Sequence, residues 1–125
     1  MTEKTILLAD DDELLASLLN FRLQKAGYKV NHVMDGKQVK EYLTHTMPDM
    51  IICDIMMPYF SGMELINYVR SELLSQTPII IISSAGNEEN VLSAFELGAN
   101  DFISKPVSPS ELVVRIAREL KKATI

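Results

Sequence analysis

The sequence has a single cysteine, no apolar run long enough to cross a bilayer and no segment typical of a secretory signal. Cys53 cannot form a disulfide within the chain, and because it lies in a strand-like apolar run we interpret it as a small buried hydrophobe. A membrane-spanning helix needs about 20 apolar residues, far more than any run here. The opening residues Met1–Lys4 do not resemble a signal peptide. We therefore expect a soluble, cytoplasmic protein that does not act at a membrane.

An excess of positive charge is also missing. The formal net charge is -5, with 12 Lys and Arg against 17 Asp and Glu. Most nucleic-acid binding depends on attraction to the phosphate backbone, so we expect no direct contact with nucleic acid. No cluster of histidine and cysteine suggests zinc. His32 and His45 stand alone in the sequence and are predicted to be surface residues.

Internal repeats and low-complexity segments are absent as well. The chain has 125 residues, 47% of them hydrophobic. A domain of this size buries roughly two thirds of the surface that its unfolded chain exposes. A second domain has no room, so we expect one domain over residues 1–125.

Short apolar runs alternate with helix-length segments in which apolar residues recur every three or four positions. This alternation predicts βαβ crossovers and an α/β fold with five parallel strands and five helices. Gly27 should end the first helix in a left-handed conformation. Ser61 with Glu64 has the spacing of a capping box, and Ser108 followed by Pro109 marks the start of the last helix. The predicted buried stripe of the first helix is Leu15, Leu18, Leu19, Leu23 and Ala26, and that of the third is Ile66, Val69 and Leu73.

Four of the predicted strands end in residues suited to phosphate chemistry. In open parallel sheets the carboxyl ends of the strands form one edge, and ligands bind in the crevice outside it. Carboxylates, hydroxyls and an ammonium should therefore meet in one place. In chain order these residues are Asp10, Asp11 and Asp12, then Asp54, then Ser83 and Ser84, and finally Lys105.

The acidic residues at this edge have two possible roles, helix capping and cation binding. We assign capping to Asp12 and Glu13, which precede or open a helix. We assign Asp10 and Asp11, with Asp54, to a cation, because neighbouring carboxylates repel one another unless a cation lies among them. Oxygen ligands select a hard ion, and Mg²⁺ suits few carboxylates plus phosphate better than Ca²⁺ does.

Lys105 and the two serines complete the expected site. Three aspartates, Mg²⁺ and Lys105 together carry a charge near zero before any phosphate arrives. Pro106 biases Lys105 toward an extended backbone, and a cis bond between them is possible. A hydroxyl from Ser83 or Ser84 beside an acyl phosphate on Asp54 would donate a hydrogen bond to it.

Five segments, in this order, carry a family resemblance: Ile6–Asp12, Asp54–Pro58 with Gly62, Pro78–Ser84, Gly98–Ala99 and Lys105–Pro106. From about residue 4 to residue 122 the chain resembles the receiver domain of bacterial response regulators. The resemblance implies a flavodoxin-like, doubly wound (βα)5 fold with strand order 2-1-3-4-5. It also implies a signalling switch activated when a phosphoryl group passes to an aspartate from the phosphohistidine of a histidine kinase or phosphotransfer protein.

The resemblance also implies roles for the acidic residues. By position, Asp54 is the phosphoryl acceptor. Asp11 and Asp54 would bind Mg²⁺ directly, Asp10 would bind it through a water molecule, and the backbone carbonyl of Met56 would be a further ligand.

The same resemblance implies how the signal leaves the site. Ser83 and Lys105 would bind the phosphoryl oxygens, and Phe102 would be the aromatic switch residue. Ser83 stands where threonine is more frequent and keeps the hydroxyl, whereas Phe102 replaces the frequent tyrosine and must act by packing. Because Ser83 ends the fourth strand and Phe102 lies in the fifth, we expect the output face to consist of the fourth helix, fifth strand and fifth helix, with Asn87–Leu97 and Ser108–Lys121 contacting a downstream effector or a second copy.

Two other functions use similar residues. A Mg²⁺-dependent phosphatase or phosphotransferase also forms an aspartyl phosphate, but that class usually keeps a second acid two residues after the nucleophile, where this chain has Met56. Flavin binding matches the fold by analogy, but the acids after the first strand would repel the flavin phosphate. We therefore expect a switch that turns over no outside substrate.

Overall fold

The computed structural model describes residues 3–123, and within that range a single five-stranded parallel sheet has the order β2-β1-β3-β4-β5. The predicted fold class and strand order are confirmed. The predicted domain limits include residues 1–2 and 124–125, which lie outside the described residues. The strands are β1 Thr5–Ala9, β2 Lys29–Val33, β3 Met50–Asp54, β4 Ile79–Ser83 and β5 Asp101–Ser104, and the helices are α1 Glu13–Lys25, α2 Gly36–His45, α3 Gly62–Asn67, α4 Glu88–Leu97 and α5 Pro109–Ala123.

The sheet is buried on both faces, as parallel sheets with helical crossovers must be. Side chains alternate along each strand, so one face of the sheet packs against α2, α3 and α4 and the other against α1 and α5. Every apolar residue of β1, β3 and β4 is fully buried. This burial fixes the central strands, and with them the residues at their carboxyl ends. No helix among residues 3–123 is long and apolar enough to span a bilayer.

Helix α1 begins as predicted but buries only part of the predicted stripe. The Asp12 carboxylate caps it by accepting a hydrogen bond from the Leu15 N–H at 3.1 Å, and Gly27 follows it at φ +100°. Leu18 is 51% exposed and Ala26 is exposed, whereas the small Ala16 is buried beside Leu19 and Leu23. The prediction is confirmed for Leu19 and Leu23 and wrong for Leu18 and Ala26. Helix α1 carries apolar residues on several sides, so periodicity alone does not select every residue that packs.

Helix α3 is shorter than the sequence suggests. The predicted capping box of Ser61 and Glu64 is present, but after Asn67 the backbone continues as a π-helical turn, Tyr68–Glu72. Leu73, predicted to be buried, is only partly buried after this turn.

The π-helical turn presents Arg70 to the amino edge of the sheet. Nε donates to the Gly98 carbonyl at 3.1 Å, and Nη1 to the carbonyls of Ser75 at 2.9 Å and Thr77 at 2.7 Å. Nη2 donates to the Gly98 carbonyl and to Asn100 Oδ1, both at 2.9 Å. All five N–H groups of the guanidinium are therefore used, and they join the segment before β4 to the segment before β5. We call this arrangement the Arg70 clamp.

Candidate functional site

The carboxyl edge of the sheet carries the residues that the sequence places there. Asp10 follows β1, Asp54 is the last residue of β3, Ser83 is the last residue of β4 and Lys105 follows β5. Their strands are neighbours in the sheet, because Asp54 pairs with Ile82 and Ser83 with Ser104. Because the strands are parallel, these four residues, which are far apart in the sequence, lie side by side at one edge of the sheet.

Three carboxylates form a cluster at this edge. Asp10, Asp11 and Asp54 each place one carboxylate oxygen within 4.8 Å of the other two. Asp10 and Asp54 are buried, and Asp11 is exposed at the mouth of the site. Backbone N–H groups hold the two buried side chains: Asp12 donates to Asp10 Oδ1 at 2.9 Å, and Met56 donates to Asp54 Oδ1 at 3.0 Å.

Lys105 is the cation that faces this cluster. Its Nζ lies 2.6 Å from Asp54 Oδ2 and 3.2 Å from Asp10 Oδ2, and the Lys105–Pro106 bond is cis. Partial burial works against the ammonium, but the Asp54 and Asp10 carboxylates outweigh it, so the pKa of Lys105 is raised. The lysine therefore stays charged and neutralises part of the acidic cluster.

Asp10 has one buried carboxylate oxygen that accepts no hydrogen bond. Its Oδ2 is buried and makes no hydrogen bond of good geometry, although the ammonium lies at ion-pair distance. Burial raises the pKa of Asp10, and the Asp12 N–H and Lys105 offset this only in part. A buried carboxylate oxygen without a hydrogen-bond donor, within a set of oxygen ligands, is what a hard divalent cation would satisfy. The residues present therefore fit Mg²⁺.

The remaining predicted site residues differ in their exposure. Met56 follows Asp54, and its side chain is 66% exposed. Ser83 is fully buried, and its Oγ accepts a hydrogen bond from the Ala85 N–H at 2.9 Å, which leaves the hydroxyl hydrogen available. Phe102 is partly buried against the core cluster that includes Ala94 of α4.

The β4–α4 loop packs closely on β5. A methyl group built on Gly86 would lie 2.5 Å from Ser104 Oγ and 3.5 Å from the Phe102 ring. The loop that follows Ser83 is therefore in close contact with the strand that carries Phe102.

One residue near the site differs from its sequence interpretation. His32, predicted to be a surface residue, is partly buried, and its Nε2 lies 2.8 Å from the Asp10 backbone carbonyl. His45 is exposed as predicted. The sequence gives no signal for the His32 contact, because it depends on how β2 ends beside β1.

Fold and site together define a doubly wound α/β domain with a partly buried acidic cluster, opposed by a lysine, at the carboxyl edge of its sheet. The family model "Response regulator receiver domain" matches residues 6–117. The chain is 38% identical over 120 residues to the response regulator GtcR of Aneurinibacillus migulanus, covering 96% of this chain and 49% of that protein. It is 37% identical over 123 residues to the phosphate regulon transcriptional regulatory protein PhoB of Pseudomonas aeruginosa, covering 98% and 54%.

Comparison with solved structures gives the same family as comparison of the sequences. A putative response regulator from Chloroflexus aurantiacus superposes with a TM-score of 0.90 at 34% identity, covering 96% of this chain and 99% of that one. This chain therefore belongs to the receiver domains of response regulators, the switch modules of two-component signalling. It spans about half the length of the curated relatives it matches.

Proposed function

We propose that this chain is a phosphorylation-activated switch that takes a phosphoryl group onto Asp54 from the phosphohistidine of a histidine kinase or phosphotransfer protein. The observation that carries the proposal is the position of Asp54. Its carboxylate lies at the carboxyl edge of the sheet, between the Met56 N–H and the Lys105 ammonium, with Asp10 and Asp11 beside it. Membership in the receiver family supports the same role.

The transfer itself is a displacement at phosphorus. A carboxylate oxygen of Asp54 forms the new P–O bond, the P–N bond of the donor phosphohistidine breaks, and the imidazole nitrogen keeps the electron pair. Both the nucleophile and the phosphoryl group are anionic, so their approach depends on nearby positive charge. Lys105, at 2.6 Å from Asp54 Oδ2, supplies part of it.

Mg²⁺ is the proposed cofactor, and when bound it would neutralise charge on the acceptor and on the phosphoryl oxygens. Asp11 and Asp54 would bind it directly, Asp10 would do so through water, and the backbone carbonyl of Met56 would be a further ligand. The buried Asp10 Oδ2, which accepts no hydrogen bond, supports a role for Asp10 in this set. The family uses Mg²⁺ at an acidic site of this kind.

Once Asp54 carries phosphate, Lys105 and Ser83 have new partners. The ammonium would move from the Asp54 carboxylate to the phosphoryl oxygens, which carry more negative charge. The Ser83 hydroxyl, which now only accepts from the Ala85 N–H, would donate to a phosphoryl oxygen. Both residues act on the domain's own phosphoryl group. We therefore propose that the chain assists its own phosphorylation and dephosphorylation and turns over no outside substrate.

The proposed output face consists of α4, β5 and α5. Leu92 and Phe95 of α4 and Val114 of α5 are exposed apolar side chains on these elements. Asp101 of β5 forms an ion pair with Arg115 of α5 at 3.0 Å, so β5, the strand that contains Phe102, is bound to α5. A downstream effector or a second copy of this chain would bind this face more tightly after phosphorylation, because movement of the β4–α4 loop repacks Phe102.

Labelling with acetyl phosphate, followed by intact-mass measurement, tests the acceptor. We expect one phosphoryl group in the presence of Mg²⁺, none in excess EDTA and none in Asp54→Asn. Asp49→Asn is the matched control, since Asp49 is exposed and accepts from Thr5 N–H at the opposite edge of the sheet. Normal labelling in EDTA, or of Asp54→Asn, would sink the proposal.

Amide chemical shifts measured with and without phosphorylation test the output face. We expect changes at α4, β5 and α5 in addition to those around Asp54. Changes confined to the neighbourhood of Asp54 would show that the proposed face is wrong.

A further inference from the structure

His32 contacts the backbone at the point where the acidic cluster begins. In the β1–β2 register it lies opposite Leu8, and its Nε2 reaches the Asp10 carbonyl at 2.8 Å. A carbonyl oxygen can only accept, so Nε2 carries the hydrogen and the ring donates. Nε2 can keep that hydrogen in both the neutral and the charged ring, so the contact does not require a change of charge.

The Asp10 carbonyl needs this donor because the β1–β2 ladder stops at Asp10. The Asp10 N–H donates to the Val33 carbonyl at 3.1 Å, and the next rung of a parallel ladder would bring the Asp35 N–H to the Asp10 carbonyl. Strand β2 ends at Val33, however, and among the described residues no hydrogen bond joins the Asp35 N–H to the Asp10 carbonyl, while the Asp35 carboxylate caps α2 by accepting from the Gln38 N–H. Among the described residues, the His32 ring takes the place of the missing rung. Asp10 is fully buried, so water cannot easily do so.

This carbonyl belongs to the peptide that joins Asp10 to Asp11. The peptide is planar, so fixing its oxygen also fixes the Asp11 N–H and the position of the Asp11 Cα, from which the side chain leaves the backbone. Asp10 is held a second time, by the Asp12 N–H on Oδ1, whereas Asp11 is exposed and none of the hydrogen bonds among the described residues involves its carboxylate. The orientation of Asp11 therefore depends strongly on its backbone.

We infer that His32 is a positioning residue for the cation site, acting through the Asp10–Asp11 peptide without touching the cation. The inference rests on the proposed function, since Asp10 and Asp11 matter only if they hold a cation. Mutation of a group that hydrogen-bonds to a metal-ligating side chain typically weakens metal binding by about 10- to 100-fold. His32 bonds to the backbone of such a residue, so we expect an effect at the lower end of that range. If His32 had only a structural role, its replacement would change the stability of the protein but not the affinity of the folded protein for Mg²⁺.

The test is a titration of the protein with MgCl₂, followed by amide chemical shifts, in His32→Leu and His32→Gln. Glutamine places an N–H₂ at the same number of bonds from Cα as Nε2, so it keeps the donor, whereas leucine removes it. We expect Mg²⁺ affinity to fall about 10-fold in His32→Leu and to stay within about 2-fold of the wild type in His32→Gln. His45→Leu, on the neighbouring helix α2, is the matched control and should titrate like the wild type.

Urea unfolding in EDTA, measured on the same variants, separates affinity from stability. If His32→Leu does not fold, His32→Asn replaces it, since its amide is one bond too short to reach the carbonyl. Wild-type Mg²⁺ affinity in the variant without the donor, or an equal loss in His32→Gln, would overturn the inference. A wild-type chain that neither binds Mg²⁺ nor labels on Asp54 would instead defeat the proposed function, so the two failures are distinct.

Discussion

Replacing Arg70 by alanine should destabilise the fold while leaving the phosphoacceptor site intact. The Arg70 clamp makes five hydrogen bonds to four residues, and its truncation leaves the carbonyls of Ser75, Thr77 and Gly98 without a charged donor. Burial lowers the pKa of Arg70, as expected for a guanidinium partly withdrawn from water.

The magnitude follows from the partners that are lost. A hydrogen bond to a charged group contributes about 1.5 to 3 kcal/mol, but five bonds from one side chain are not additive, and water can reach part of this site. We therefore expect the free energy of unfolding to fall by about 3 kcal/mol. For a chain of this length that corresponds to a Tm lower by about 10 °C and a urea midpoint lower by about 1.5 M.

Urea unfolding followed by circular dichroism measures this effect. Arg118→Ala is the matched control, because Arg118 is more than half exposed and makes one ion pair, to Asp101 at 3.4 Å. It should lose less than about 1 kcal/mol. The loss of unfolding free energy in Arg70→Lys should lie between those of Arg70→Ala and Arg118→Ala, since one ammonium cannot reach all the acceptors of the clamp. The reasoning is refuted if Arg70→Ala loses no more than Arg118→Ala, or if the folded variant no longer binds Mg²⁺, because the clamp lies at the amino edge of the sheet.

Two further predictions concern the site. Met56 and Ala85 are expected beside the acyl phosphate, and neither has a polar side chain that could orient water for hydrolysis. We therefore predict slow self-dephosphorylation, which Met56→Asn should accelerate. An unchanged or longer phosphoryl lifetime in that variant would contradict this prediction. Asp10→Asn should stabilise the metal-free protein near neutral pH. The pKa of Asp10 is raised above 3.8 in the folded state, so the folded state favours the protonated acid, and stability is lost as pH rises through the raised pKa. In EDTA, the urea midpoints of the wild type and Asp10→Asn should therefore differ most near neutral pH and converge toward pH 3.8. A difference that does not depend on pH would rule out this cause.

Much of the fold could be predicted because the signals are local. Strand and helix periodicity, the Asp12 cap, the Gly27 stop and the Ser61–Glu64 capping box each depend on residues within one or two turns of one another. Strict alternation of strands and helices then leaves few topologies, since crossovers between parallel strands have one hand. The carboxyl-edge location of Asp10, Asp54, Ser83 and Lys105 follows from that topology.

By itself, then, the sequence determined which residues stand at the end of each strand, because order along the chain and side-chain alternation are both local. Only the tertiary structure decided what those residues touch. Lys105 reaches Asp54 across 51 positions, Arg70 reaches Gly98 across 28, and His32 reaches Asp10 across 22. The face that α1 buries was likewise decided by its fit to the sheet. Such contacts depend on strand register and on where each strand stops, and these are set by the packing of all the elements together, because no local pattern encodes the distance between them.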